Sequence, residues 1–338
     1  MTLAANYTIA AVQAANGTMT LEDLKNYKVS IRKPISIDYR GYKIFATGAP
    51  SGGSVALSIL KIIEGYNMSD PDLWDLNFHR LDEAMRFSYG AHAELGDPDF
   101  FDYMEDFEDH MLRSKHASSI RSRLSDEHTQ KPSAYDPKEY IIPESHGTSH
   151  IVTADASGMT ITLTSTVNLL FGSHLVVPET GVIMNNEMND FSIPGVSNEF
   201  GFVPSPINYI RPNKRPLSSI TPMIIEHGNG SLYLSIGAAG GSKIITGTVQ
   251  GIWHVLDHGM TLPEALKEPR LHDQLLPDVS TFEYDFNNDT IDSMRSRGHN
   301  ILWVPPGFSA VQGVRVLSNG TFEAASEPRQ RNSGGLAI

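Results

Sequence analysis

Gly147-Thr148-Ser149-His150 is the stretch on which the reading of this chain turns. Before it runs a hydrophilic, proline-punctuated segment from Glu127 to Gly147; after it a threonine-rich strand pattern begins. A threonine hydroxyl alone is a poor nucleophile. If the Gly147–Thr148 bond opens, Thr148 gains a free α-amine beside its own hydroxyl. A terminal amine has a pKa of about 7.7–8.0 and is partly neutral near pH 7, so it can take the hydroxyl proton. Nucleophile and base then sit on one residue. On position alone, the plainer reading is a threonine that merely leads a strand.

Working outward, the junction divides the chain into residues 1–147, ending in a linker at 127–147, and residues 148–338. Upstream, Thr20 caps a helix over Leu21 to Tyr27. Short strands are predicted at Ile35 to Tyr39 and Tyr42 to Thr47, around Arg40-Gly41. Val55, Ile59, Ile62 and Ile63 recur at helical spacing, and Asn77 to Leu95 predicts a second helix, closed by Gly96-Asp97-Pro98. Phe101 to Leu124 reads as mixed and helical. Downstream, His150 to Ala154 and Met159 to Asn168 predict strands joined by Asp155-Ala-Ser-Gly158. Thr160, Thr162, Thr164 and Thr166 share one face of the second; Met159, Ile161 and Leu163 share the other. A strand at Ser231 to Ile236, a loop Gly237-Ala-Ala-Gly-Gly241 and a helix from Ser242 to His258 follow. Thr261-Leu-Pro-Glu opens another helix, Asp289 to Ser296 a further one, and strands are predicted at Ile301 to Val304, Ala310 to Leu317 and Thr321 to Ala324. Strands interleaved with helices indicate an α/β sandwich.

Composition limits the partners. With 26 basic and 39 acidic residues the net charge is −13, which argues against a nucleic-acid backbone. Asp97, Asp99, Asp102, Glu105, Asp106, Glu108 and Asp109 crowd one stretch, which reads as a solvated acidic face rather than a metal site. Cysteine is absent, so there is no disulfide, thiolate metal site or cysteine nucleophile. His146 and His150 flank Thr148 at i, i+4, but zinc needs a third ligand, and no metal is expected. Sequons at Asn6, Asn16, Asn67, Asn229, Asn288 and Asn319 lean toward a secretory route. Met1 to Ala15 lacks the basic region and apolar core of a signal peptide.

Three constellations carry further chemistry. Gly240-Gly241 lie between a strand and a helix, where backbone N–H groups converge as an oxyanion hole or simply make a turn. Their spacing does not match a phosphate loop. Glu187 and Asp190, with Asn168 upstream, suit a substrate ammonium group, an acid/base pair or a capped loop. Ser218-Ser219 can hold a carboxylate or cap a turn.

Taken together these residues resemble the γ-glutamyltranspeptidases, N-terminal-nucleophile hydrolases that cut themselves into a large and a small subunit. The matching text is Gly147-Thr-Ser-His150, Thr164-Ser-Thr-Val-Asn168, Asn185-Asn-Glu-Met-Asn-Asp-Phe-Ser192, Pro216-Leu-Ser-Ser219, Gly237-Ala-Ala-Gly-Gly241 and Glu268-Pro-Arg-Leu-His272. Upstream, His79-Arg-Leu-Asp-Glu-Ala-Met-Arg86 and Leu95-Gly-Asp-Pro98 match as well. The resemblance implies a four-layer αββα sandwich with antiparallel sheets between helices. It implies self-cleavage between Gly147 and Thr148, giving a two-chain heterodimer. Thr148 would be the nucleophile, oriented by Thr166. Asn168, Glu187 and Asp190 would hold the α-ammonium of a γ-glutamyl group, Ser218 and Ser219 its α-carboxylate, and the Gly240 and Gly241 N–H groups the oxyanion. The implied substrates are glutathione and other γ-glutamyl compounds, with water, amino acids or dipeptides as acceptors and no cofactor. The family's arginine for the α-carboxylate, and its signal or membrane anchor for the secretory pathway, belong to a more N-terminal part; Met1 falls within what resembles the last part of the large subunit. Phe200 would stand where bacterial members place a lid tyrosine. Rival readings are an uncleaved, non-catalytic fragment of the same fold and a related acylase of other acyl specificity. A nucleotide-binding module on the glycine loop is more distant.

Overall fold

Both predicted strand systems, around Thr148 and around Gly240, fall into packed layers in a computed structural model of the chain, which describes residues 2–136, 138, 140–141, 147–196 and 203–338. His146 and Phe200 lie outside the described residues.

The first half contains α1 (Leu3–Ala14), α2 (Leu21–Asn26), the hairpin β1 (Ile35–Tyr39) and β2 (Tyr42–Ala46), then α3 (Gly53–Ile63) and α4 (Trp74–His92). Next come α5 (Met104–Leu112), α6 (Ser114–Arg121), the single turn α7 (Pro132–Tyr135) and β3 (Tyr140–Ile141). The second half opens with the hairpin β4 (Thr148–Ala154) and β5 (Thr160–Thr166), followed by short strands β6 (Val176–Val177), β7 (Val182–Ile183) and β8 (Val203–Pro204). It continues with β9 (Met223–His227), β10 (Leu232–Ala239), α8 (Lys243–Leu256), α9 (Leu262–Lys267), β11 (Leu271–His272) and β12 (Ser280–Glu283). It closes with α10 (Asn288–Ser296), β13 (Ile301–Val304), β14 (Ala310–Val316) and β15 (Phe322–Ala325).

An antiparallel sheet in the order β1-β2-β9-β10-β14-β15 forms the middle layer. Alternation along β10 sorts its two faces. Leu234, Ile236 and Ala238 are fully buried on the side of α8, whose Gly251 leaves room for Ile236. Gly237 and Ala239 point the other way, toward the β4–β5 hairpin. α3 is apolar and buried almost all round, because it lies between the sheet, α8 and the outer helices α4, α5 and α6. Each Leu or Ile buried there contributes about 1.5–3 kcal/mol. Sequence spacing also fixes the helix starts: Thr20 with Asp23, and Thr261 with Glu264, make reciprocal capping boxes.

The architecture is the α/β sandwich expected: helices, a six-stranded sheet, and the β4–β5 hairpin as the second β layer. The hairpin inverts the usual polarity. Thr160, Thr162, Thr164 and Thr166 face inward and are half-buried, whereas Ile151, Ile161 and Leu163 are exposed on the outer face. Other departures have local causes. β10 runs on to Ala239 because Gly237, Ala238 and Ala239 pair with Gln312, Val311 and Ala310 of β14. The glycine loop therefore shrinks to Gly240–Ser242. β9, β11 and β12 were not anticipated, and the predicted strand Ile301–Val304 forms β13, paired in parallel with β12. Among the described residues no helix is long and apolar enough to cross a membrane.

Candidate active site

The hairpin register places Thr148 opposite Thr166. Thr148 Oγ1 donates to Thr166 Oγ1 at 3.1 Å. Thr166 Oγ1 also accepts the Asn168 N–H at 2.8 Å and donates to the Gly147 carbonyl at 3.4 Å. That same carbonyl accepts the Val167 N–H at 3.0 Å. Glycine is required before the threonine, since a Cβ at Gly147 would meet the Leu169 carbonyl at 2.2 Å.

Asn168 turns the chain away from β5 with φ +70, a left-handed conformation that asparagine tolerates. Its Nδ2 donates to the Asn186 carbonyl at 3.1 Å, while its buried Oδ1 has no partner. Asn186 leads into the 3-10 turn Glu187–Asp190. There the two carboxyls lie close enough to influence each other, and Glu187 Oε2 and Asp190 Oδ1 are buried and unpaired. Burial raises the Glu187 pKa. Burial, then the neighbouring Glu187 charge, pushes Asp190 up to about 8.

The path continues through Asn208. Its Nδ2 donates to the Asp190 carbonyl at 2.6 Å and its Oδ1 accepts the Leu217 N–H at 2.9 Å, which fixes the start of Ser218-Ser219. Ser218 donates its N–H to the Pro50 carbonyl at 2.7 Å and accepts the Ile220 N–H on Oγ at 3.3 Å, so this hydroxyl does cap a turn. Ser219 shares a small cavity with Tyr89, His92 and Ser242. Ser242 follows Gly240 (φ +134) and Gly241 (φ +61), and Tyr89 donates its hydroxyl to the Ser242 carbonyl. Only glycine suits that turn, since a Cβ on Gly240 would also meet the Phe308 carbonyl at 2.7 Å. Ala239, just before the turn, lines with Thr148 one cavity of about 370 Å³. Among the described residues, Thr148, Thr166, Asn168, Glu187, Asp190, Ser218, Ser219, Gly240 and Gly241 are linked by one run of neighbours that starts and ends at Thr148.

Several members of that circuit were given no such role in the sequence. His150 is buried with its ring against Gly237, where a Cβ would come within 2.3 Å of the imidazole. Thr164 and Thr162 meet its two nitrogens at 2.9 and 3.2 Å, and burial lowers its pKa to about 4, so it is neutral at pH 7. Asn186, Asn208, Tyr89 and His92 are the others. His150 and Asn186 lie inside quoted motifs, His150 being read there only against zinc; Asn208, Tyr89 and His92 carry no spacing signal.

Packed antiparallel β layers backed by helices, with a threonine heading an inner strand, are the architecture of the N-terminal-nucleophile hydrolase class. A cephalosporin acylase from Bacillus halodurans superposes with a TM-score of 0.80 at 25% identity, over 99% of this chain and 58% of that one. The family model described as Gamma-glutamyltranspeptidase matches residues 3–337, and the chain belongs to that family. It is 54% identical over 331 residues to a glutathione hydrolase proenzyme of Arthroderma benhamiae, covering 98% of this chain and 56% of that protein. It is 44% identical to a glutathione hydrolase of Aspergillus flavus, covering 97% and 56%. The chain therefore spans little more than half the length of these relatives.

Proposed function

We propose that this chain carries the catalytic machinery for γ-glutamyl transfer and hydrolysis, and that it matures by cutting itself between Gly147 and Thr148 into a large/small subunit heterodimer. The freed Thr148 amine takes the proton of its own hydroxyl, and Oγ attacks the γ-amide of glutathione or another γ-glutamyl compound. The Gly240 and Gly241 N–H groups receive the charge on the tetrahedral intermediate; one such donor is typically worth ~10²–10³ in rate. The amine leaves, a γ-glutamyl-threonine ester remains, and water, an amino acid or a dipeptide resolves it. Thr166 orients the nucleophile, and Ser218 and Ser219 bind the α-carboxylate.

One observation carries the substrate class. Asn168 Oδ1, Glu187 Oε2 and Asp190 Oδ1 are three buried acceptors without a donor, on residues joined by one short run of contacts. An ammonium group has three N–H donors and one positive charge. An acyl group lacking it would leave the acceptors unpaired, which argues against an acylase of other specificity. The sequon asparagines 6, 16, 67, 229, 288 and 319 are all exposed, which supports passage through a secretory route; a mass loss on N-glycosidase treatment of secreted protein is the expected result.

The test of the whole reading is release of a chromogenic anilide from its γ-glutamyl derivative, with the intact mass measured in parallel. Thr148→Ala should give a single uncut chain and no release. A processed or active Thr148→Ala chain would refute the assignment.

A further inference from the structure

Cutting the Gly147–Thr148 bond poses a problem that the mature mechanism does not solve. Before the cut there is no free amine to act as base, because the Thr148 nitrogen is still an amide. Among the described residues, the groups around Thr148 offer no substitute. His150 has both nitrogens engaged by Thr162 and Thr164. The faces of β10 and β14 that line the adjoining cavity present Ala239, Ala310 and Gln312, none of which titrates. Glu187 and Asp190, reached through Asn168, both have raised pKa values, and Asp190 at about 8 keeps its proton at neutral pH. What does touch the Thr148 hydroxyl is another hydroxyl, and that one points at the carbonyl to be attacked.

The bookkeeping at Thr166 is forced. A threonine hydroxyl has one proton and two lone pairs. The Asn168 N–H takes one lone pair at 2.8 Å and the Thr148 hydroxyl the other at 3.1 Å. Its single proton is directed to the Gly147 oxygen at 3.4 Å. The same oxygen already receives the Val167 N–H at 3.0 Å, the range expected of a preorganised oxyanion donor.

We propose that self-cleavage runs on this hydroxyl relay, with Thr166 as the proton carrier and Val167 N–H as the oxyanion donor. The proposal rests on the self-cutting included in the function above, and it separates the groups that serve maturation from the Gly240-Gly241 turn that serves turnover. Thr148 Oγ forms a bond to the Gly147 carbonyl carbon. Its proton passes to Thr166 Oγ as the Thr166 proton passes to the Gly147 oxygen, so the tetrahedral intermediate is neutral. Collapse re-forms the carbonyl, breaks the C–N bond and leaves the proton on the Thr148 nitrogen. Water then hydrolyses the ester, releasing the Gly147 carboxylate and the free Thr148 amine and hydroxyl.

The test follows cutting of the freshly translated full chain by intact mass. Thr166→Val, which keeps the shape and removes the relay, should slow cutting by about 10²–10⁴-fold, the usual range for positioned proton transfer. Thr166→Ser should restore it. In the parent chain the cutting rate should be flat between about pH 6 and 9, and in H₂O/D₂O mixtures it should fall along a bowed curve, the signature of two protons in flight. Hydroxylamine, which cleaves esters, should not cut the Thr166→Val chain, because no ester forms. Thr166→Val cut at the parent rate, Thr166→Ser as slow as Thr166→Val with an unchanged melting temperature, a single titration in the rate, a linear isotope plot or hydroxylamine-cleavable ester in Thr166→Val would each overturn the relay. A parent chain that is never cut would instead overturn self-cleavage itself, and the relay with it.

Discussion

Two buried carboxylate clusters in this chain are built to opposite rules. Around α4, each carboxylate faces an opposite charge or a hydroxyl, although Asp82 Oδ1 and Oδ2 accept no hydrogen bond among the described residues. Arg86 lies between Asp273 at 3.0 Å and Asp278 at 2.7 Å, and Ser280 donates to Asp273 at 3.0 Å. Asp82 faces His299 at 3.0 Å, and Tyr135 meets Glu83 at 2.7 Å. The 3-10 turn 187–190 has no cation among its described partners: Glu187 and Asp190 face each other and keep unpaired oxygens. Removing a buried charge's partner is costly, so an uncompensated site persists only where something else supplies the compensation. The paired cluster holds the scaffold, whereas the unpaired one waits for a ligand.

The largest expected effect tests the first half of that contrast. Arg86→Ala strands Asp273 and should cost about 3–5 kcal/mol in denaturant unfolding. A loss below ~1 kcal/mol would break the distinction. At the other cluster the outcome should reverse. Asp190→Ala should leave stability within about 1 kcal/mol but lower kcat/KM for γ-glutamyl donors by about 10²–10³, as for one partner of a desolvated charge pair. The pH dependence has a defined sign. Asp190 in the unliganded protein is pushed up to about 8, and an ammonium group needs it ionised. Donor affinity should therefore rise as pH climbs toward 8, and binding at pH 7 should release a proton. Calorimetry in buffers of different ionisation enthalpy reads that proton directly; Asp190→Asn should abolish it.

The two clusters were not equally legible. Glu187 and Asp190 stood out because they lie three apart beside Asn185-Asn186, and the hairpin around Thr148 because its alternation and Asp155–Gly158 turn are local. Arg86 and His79 appeared in a matching motif without a role, since Asp273, Asp278 and His299 lie about 190–220 positions downstream. β9 went unread although it forms a local hairpin with β10; only its other partner, β2, comes from the other half of the chain. Hairpin polarity was half legible. The threonines were seen to share a face, but nothing local says that this face turns inward. Its cause is His150, which needs Thr162 and Thr164 for its nitrogens and Gly237 for its ring, the last 87 positions away.

That histidine sharpens the comparison, because it is a buried titratable group answered by hydroxyls instead of charge. Gly237→Ala would drive a Cβ to 2.3 Å from its imidazole. The hairpin must then shift on the sheet. The expected cost is about 1–3 kcal/mol of stability, typical of overpacking, with slower cutting at Gly147–Thr148. A chain cut at the parent rate despite that loss would show that hairpin placement does not govern maturation.

The smallest effect concerns the protons of the paired cluster. His79, Glu83 and His299 lie close enough to share a metal ion, yet protein partners engage all three. His79 Nε2 meets the Ser125 carbonyl at 2.7 Å and must donate to it, so its Nδ1, 2.7 Å from His299 Nε2, accepts when the ring is neutral. His299 then donates from Nε2, and its Nδ1, 3.0 Å from Asp82 Oδ2, makes an ion pair with that carboxylate as an imidazolium. The pKa directions agree. Burial alone would lower His299, but Asp82 raises it; burial alone would raise Asp82, but His299 lowers it; burial takes His79 down to about 4. A histidine raised above its unfolded value of about 6.5 gives its full stabilisation below that pH and loses it as pH climbs through the folded value. His79 acts oppositely and only below about 6.5, where the unfolded chain takes up a proton that the folded one refuses. Asp190 and Asp273 complicate the alkaline side, since carboxyls raised to about 8 and about 7 also lose stability between their unfolded values and those pH values. The measurement therefore belongs in an Asp190→Asn background. There the unfolding free energy should still fall from pH 8 to 9, above the range in which Asp273 titrates, and adding His299→Gln should flatten that part of the slope. A slope that survives His299→Gln would mean that Asp82 is not answered by a charge, and the two clusters would differ less than their geometry indicates.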